Sequence, residues 1–231
     1  MKRLFRLIVI LISHFSFLVS YSSCTQDAYE KGEGKYSLMR ADFVEARANA
    51  QKEIDQIITD EGEQLPASKP FTAKLVVTPD SVYRCVLYYN KVRGEKGQDV
   101  FEPISIGSVP CPKITPISEL NKEMKTDPVK FESAWLSKTG KYLNLSFYLM
   151  TGTTDDEKAT QTLHVIQDTI MTHSDATRTC YLRLYHDQAG IPEYYSSQVY
   201  ASILTSQIEA DSVNLTINTY KGLVTKTFFL K

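Results

Sequence analysis

The feature that most constrains this chain is an alternation of apolar and polar residues with period two. In "SVYRCVLYYN", Tyr83, Cys85, Leu87 and Tyr89 fall on one face. In "KYLNLSFYLM", Leu143, Leu145, Phe147 and Leu149 do so. The same holds for Cys180, Leu182 and Leu184 in "RTCYLRLYH", and for Val213, Leu215 and Ile217 in "SVNLTINTY". Successive side chains of a strand point to opposite faces, so such runs bury one face as strands. "VKFESAWL", "QTLHVIQDTI", "SSQVYASILT" and "LVTKTFFL" add candidates. About seven strands follow Val129 within roughly 100 residues, spaced by turn signals such as "SKTGK" and "HDQAGIPE". That density predicts an immunoglobulin-like β-sandwich over 125–231. The 14 tyrosines, with recurring threonine and valine, favour strands as well.

Ahead of this half lies "VPCPKITPISELNKEMKTDP". Pro110, Pro112 and Pro116 lack the N–H that a sheet ladder needs. Ser118 to Lys125 suits one or two helical turns capped by Ser118. These signals predict a domain boundary near residue 125. The stretch from Met39 to Ile58 gives conflicting signals. Phe43, Ala46, Ala50, Ile54 and Ile57 lie at helical spacing in an Ala-, Glu- and Lys-rich run, so propensity predicts a helix. "IDQIITDEGEQL" also reads as a strand entering a turn.

Lys2, Arg3 and Arg6 precede an apolar run from Leu4 to Val19 broken by Ser13, His14 and Ser16. A membrane span needs roughly 20 apolar residues. The basic start, short apolar middle and small Ser22 and Ser23 match a secretory signal peptide over 1–23 instead. Cys24 follows at once, an arrangement that resembles the lipobox of bacterial lipoproteins, with Tyr21 where most carry leucine. The resemblance implies a diacylglycerol on the Cys24 thiol and anchoring to a membrane. The alternative is a plain signal peptide and a soluble periplasmic protein. Residues 24–35 are polar, with two glycines, and read as a tether. Asp27 and Glu30 resemble an acidic signal for surface display, but both faces of the outer membrane stay open.

The first 23 residues hold three of the 26 basic residues and no acid, leaving 23 basic against 27 acidic. A mildly acidic chain lacks the basic footprint of a nucleic-acid binder. Cys85, Cys111 and Cys180 are three, so they cannot all pair within one chain. An oxidising envelope would allow a Cys85–Cys111 disulfide; the alternative is that all three are small buried hydrophobes.

Taken in order, "KTDPVKFESAWL", "GKYLNLSFYL", "LHVIQD", "CYLRLYHDQAG" and "YYSSQVYASI" resemble the NigD-like lipoproteins of Bacteroidetes. "IITDEGEQLPAS", "SVYRCVLYYNKV" and "ISIGSVPCPKI" resemble that family's N-terminal half. The resemblance implies an all-β chain: a small OB-like barrel over 36–124, then a β-sandwich over 125–231. It replaces the helix near Met39 with strands at about 37–47 and 53–60. It agrees with export and a lipid anchor at Cys24, and it carries no activity, since fold alone supplies none.

The search for chemistry yields little. His164, His173 and His186 show no i, i+4 pairing for a metal. Asp187 adjoins His186, but neighbours on a strand point apart. Asp155, Asp156 and Glu157 suit either a calcium ion or a solvated hairpin tip. No serine elbow, phosphate-cradling loop or cofactor motif is found. Trp135 reads as a plug in the sandwich core. Tyr194, Tyr195 and Tyr200 could form a binding surface for a sugar or protein, or pack as sheet residues. "DSV" and "DTI" triplets make Ser81, Thr169 and Ser212 candidates for O-glycosylation, provided the hydroxyl is exposed at a turn.

These observations predict a non-catalytic binding or accessory lipoprotein of the outer membrane with an unknown protein or glycan ligand and no cofactor. The alternatives are a bacteriocin-related immunity protein and an envelope hydrolase with a site between the domains.

Overall fold

The computed structural model describes residues 38–155 and 158–230. Five strands form a closed barrel: β1 (Met39–Ala48), β2 (Glu53–Thr59), β3 (Gln64–Thr72), β4 (Val82–Arg93) and β5 (Asp99–Ser108). Their order around the barrel is β1-β2-β3-β5-β4, and it closes where β1 runs antiparallel to β4. This is the OB-like architecture. Inside it, Val44, Ala46 and Ala48 of β1 face Cys85, Leu87 and Tyr89 of β4. Small residues on β1 suit the narrow bore of a five-stranded barrel, where interior positions are filled by side chains. Phe101 of β5 stacks edge-on against both Phe71 and Tyr89.

The helix that propensity predicts over 39–58 is absent. The strands implied by the family resemblance stand in its place, split by a turn at Asn49–Lys52. The Asn49 side-chain oxygen accepts the backbone N–H groups of Gln51 (3.0 Å) and Glu53 (2.9 Å), which fixes the turn. The misleading three-residue spacing of Ile54 and Ile57 has a specific cause. Register slips at Asp55 on both sides of β2, so the extra residue forms a bulge and both isoleucines point inward.

The second half contains eight strands: β6 (Ile114–Pro116), β7 (Lys130–Leu136), β8 (Tyr142–Thr151), β9 (Thr162–Thr172), β10 (Arg178–Asp187), β11 (Tyr195–Leu204), β12 (Ser212–Thr219) and β13 (Gly222–Phe229). They build a five-stranded sheet in the order β13-β12-β10-β9-β6 and a three-stranded sheet in the order β11-β8-β7. The alternating residues read from the sequence form the core. Leu143, Leu145 and Phe147 of one sheet meet Cys180, Leu182, Val213, Leu215 and Ile217 of the other, each 1% exposed or less. Two pairings, β10 with β12 and β6 with β9, are parallel.

The sandwich sheet already begins at Ile114, ahead of the boundary predicted near residue 125. Proline argued against a strand here, but β6 is an edge strand of three residues, and Pro116 closes it where a missing N–H is tolerated. In place of the predicted helix at Ser118–Lys125 there is a single 3-10 turn at Ile117–Glu119, with no side-chain cap. Cys85, Cys111 and Cys180 are all free thiols, so the Cys85–Cys111 pairing is not formed. Cys85 sits wholly inside the barrel while Cys111 is exposed.

Candidate functional site

Two places gather side chains that a sandwich core does not require. The first is the seam between barrel and sandwich, where the outer face of β1 and β4 meets the outer face of β8 and β11. Arg84 projects from β4 with its side chain 4% exposed. Its two terminal nitrogens each lie 2.8 Å from an oxygen of Asp60. Its Nε donates to Ser202 Oγ (3.1 Å), and one terminal nitrogen also donates to Asn144 Oδ1 (3.0 Å). Asn144 Nδ2 donates to Asp60 (2.7 Å), and Ser202 Oγ donates to Asn144 (2.7 Å), closing the network. The guanidinium carbon lies 3.9 Å from the centre of the Tyr142 ring, a cation–π contact.

Beside it, the Tyr142 hydroxyl donates to Glu45 Oε1 (2.7 Å), and Lys141 pairs with the same carboxylate. Burial pushes the Glu45 carboxyl up, but the bonds from Lys141 and Tyr142 and the charge of Arg84 outweigh it. The net value falls below the ordinary one. Burial first, then the bond to Glu45, drives the Tyr142 hydroxyl upward. Most of these polar atoms bond other protein groups, while Asp60 and Lys141 still reach water. The seam is built for docking two units, and it holds no histidine.

Trp135 belongs to this seam and not to the sandwich core, contrary to its predicted role as a plug. Its ring meets Phe43 of β1 edge-on at 5.4 Å, and Phe43 meets Tyr200 at 5.3 Å. Tyr200 is thereby committed to the seam and does not join Tyr194 and Tyr195.

The second place is a cavity of about 580 Å³ where the two sheets splay apart between β7 and β13. It is lined by the apolar Val129, Phe131, Met150 and Val224, and by Thr219, Glu193 and Tyr220. Val129 is fully buried and part of the sandwich core, so the cavity reaches that core directly. Such a volume lies within the range of small-molecule sites, roughly 300–1,000 Å³. Tyr220 and Lys221 form the two-residue turn joining β12 to β13, with Gly222 following at φ 104°. Partial burial and the bond to the Glu193 carboxylate push the Tyr220 hydroxyl up to about 12. Tyr194 and Tyr195 follow Glu193 in the chain and are 77% and 57% exposed. The Tyr194 ring packs so tightly on Gly152 that a Cβ there would sit 2.8 Å from it.

The other candidates are dispersed. His186 is buried, with Nδ1 3.0 Å from the Asp127 carbonyl and Nε2 3.1 Å from Gln161 Oε1. Neighbouring Asp187 turns away to accept the Ala189 N–H at 2.9 Å. His173 bonds Thr179 at 2.8 Å, and His164 tilts against Tyr185. Burial, then the nearby Lys122 charge, lowers the His164 pKa. Asp155 is exposed; Asp156 and Glu157 lie outside the described residues, as do the signal segment, Cys24 and the tether. Among the described residues, no three or more His, Cys, Asp or Glu side chains converge as metal ligands. None of the described helices is long and apolar enough to cross a membrane.

Of the triplet hydroxyls, Ser81 lies in the turn before β4, half-buried, its hydroxyl bonded to the Pro79 carbonyl at 3.0 Å. Thr169 is exposed but sits mid-strand in β9. Ser212 is buried in β12 with its hydroxyl 2.8 Å from that of Thr179, which leaves no room for a glycan. Sequence reasoning missed Phe131, Met150, Tyr220 and Val224. One signal was available: a tyrosine at a two-residue hairpin turn, where small or polar residues are the rule.

A closed five-stranded barrel followed by a β-sandwich defines a two-part, all-β architecture. A family model for the NigD-like C-terminal β-sandwich domain matches residues 113–230, and the chain belongs to that NigD-like family. A NigD-like immunity protein from Bacteroides caccae has the same fold at 20% identity. The TM-score is 0.64, covering 82% of this chain and 96% of that one. A protein of unknown function from Bacteroides vulgatus superposes at 16% identity and TM-score 0.62, covering 83% and 90%. A candidate lipoprotein from Bacteroides fragilis does so at 12% identity and TM-score 0.55, covering 84% and 98%. No curated protein matches the chain.

Proposed function

We propose that this chain is a lipid-anchored envelope protein, fixed through Cys24 at the outer membrane, which binds a ligand without transforming it. The observation that carries this reading is the apolar cavity between the sheets, with Tyr220 in its lining and Tyr194 and Tyr195 exposed nearby. An open cavity lined by apolar side chains with a few polar groups at the rim is how proteins bury a ligand and orient it. The seam supports the same reading, because it joins barrel and sandwich through Arg84, Asp60, Asn144 and Ser202 in one compact unit. The candidate lipoprotein from Bacteroides fragilis and the thiol at position 24 support the anchor.

Two measurements test it. Intact-mass analysis of the native protein should find a chain beginning at Cys24 with acyl mass added; an unmodified chain ends the anchoring claim. A photo-reactive side chain at Tyr220 should form a discrete adduct in intact cells, where the same group at Met171, on β9 of the five-stranded sheet, forms none. Equal labelling at both positions ends the claim for the cavity.

A second reading rests on the Bacteroides caccae neighbour, described as a NigD-like immunity protein. Under it the same surface intercepts a bacteriocin. Loss of bacteriocin tolerance on gene deletion, restored by the parent chain but not by Tyr220→Ala, would favour it.

A further inference from the structure

The cavity between β7 and β13 has a charge pattern that narrows its occupant. Lys130 and Lys221 both line it. Among the described residues neither ammonium has a carboxylate within ion-pair distance; Lys130 lies 5.2 Å from the centre of the Tyr148 ring. The carboxylate in the lining, Glu193, is engaged by the Tyr220 hydroxyl. Asp127, close behind, accepts the Gln188 N–H at 2.7 Å. Two lysines and one carboxylate therefore line an otherwise largely apolar chamber, a net charge of plus one. The chamber floor is the sandwich core itself at Val129. The remaining lining is mainly apolar, Val129, Phe131, Met150 and Val224, with the Thr219 hydroxyl beside them. A molecule with an apolar tail and one anionic end satisfies both parts.

Resting on the reading of this cavity as the binding site, we infer that its ligand is a single-chain fatty acid. The alkyl chain enters between Phe131, Met150 and Val224 to extend the core, and the carboxylate remains at the mouth between Lys130 and Lys221. One cavity of about 580 Å³ suits one chain, whereas a diacyl lipid brings two. The lysine stems can lie along the apolar rim while their ammonium groups stay in water.

The test uses the chain carrying Cys24→Ser, so that no attached lipid competes, titrated calorimetrically with free alkanoates of increasing length and with the matching alkanols. Binding is expected to tighten about fourfold per added methylene, the equivalent of about 0.8 kcal/mol each, until the cavity is filled. Lys130→Glu with Lys221→Glu should weaken alkanoate at least tenfold and leave alkanol unchanged. Both positions are exposed, so folding is not at stake. Val224→Glu should abolish both ligands, with far-ultraviolet circular dichroism checking the fold. Absence of alkanoate binding, or binding indifferent to chain length or to the lysines, overturns the inference. If alkanoates fail while the Tyr220 photo-adduct persists and proves to be a peptide, only the ligand class falls. If the adduct fails too, the cavity is not the site.

Discussion

Arg84 and Asp60 form a two-point ion pair, both contacts 2.8 Å, at the seam where the two halves of the molecule meet. Removing one member of a buried pair strands the other's charge. Arg84→Met should therefore destabilise the protein by about 3 kcal/mol, the low end for such a change because Asp60 still reaches water. Urea unfolding should show a lower midpoint with the slope unchanged. The double variant Arg84→Met with Asp60→Leu should recover part of the loss. A loss below about 1 kcal/mol in the single variant would show that the seam depends on its aromatic contacts.

Glu45 gives the seam a pH dependence of definite sign. Its folded pKa lies below the ordinary 4.5, so folding favours its charged form. The resulting stability is complete above the unfolded value and is lost as pH falls through the folded one. Glu45→Gln should lower the urea midpoint at pH 7, and its difference from the parent should shrink as pH drops below 4.5. An unchanged difference at pH 3 would remove Glu45 from the acid response.

Trp135 is the chain's only tryptophan and packs on Phe43 across the seam. Its fluorescence therefore reports docking and not the sandwich core. Phe43→Ala should shift its emission to the red and cost about 2 kcal/mol, since Phe43 is half-buried. An unshifted spectrum would show that Trp135 keeps its surroundings without the barrel's ring.

The cysteines should differ in reactivity. Burial raises all three thiols, Cys85 to about 12 and Cys180 to about 11, but only Cys111 is exposed. The thiolate is the reacting form. Iodoacetamide at pH 8 should label Cys111 in the native protein and reach Cys85 and Cys180 only after unfolding. Mass mapping of the labelled peptides checks this.

Lys226 guards a sheet edge. It sits on the core-facing side of edge strand β13, between Val224 and Phe228 and opposite Leu215. A charge in that position discourages a second strand from adding to the edge. Lys226→Val should promote self-association, seen as a concentration-dependent rise in mass by sedimentation. A monomer unchanged at high concentration would show that the exposed Lys221 and the twist of the edge suffice.

The alternating runs made all seven strands from Lys130 onward legible, because each buries one face locally. Where a single residue breaks the period, the pattern misleads. The Asp55 bulge gave Ile54 and Ile57 a helical spacing, and only the likeness of "IITDEGEQL" to a known family read through it. Pro116 concealed β6, because edge and interior strands look alike in a sequence. The seam was invisible for another reason. Arg84, Asp60, Asn144 and Ser202 are ordinary polar residues scattered over more than half the chain, and only folding brings them together. The cavity likewise combines β7, β8, β12, β13 and two turns, and Tyr220 alone signalled it.

Every barrel strand precedes every sandwich strand in the chain, from Met39–Ser108 to Ile114–Phe229. A polypeptide made from its amino end can therefore close the barrel while the rest is still emerging, as domains generally fold in turn. At that stage Arg84 meets Asp60, the Phe43 ring and water. Asn144 and Ser202 arrive later and expel the solvent around them. Assembly should thus proceed in two steps, the second of which strips water from a single guanidinium.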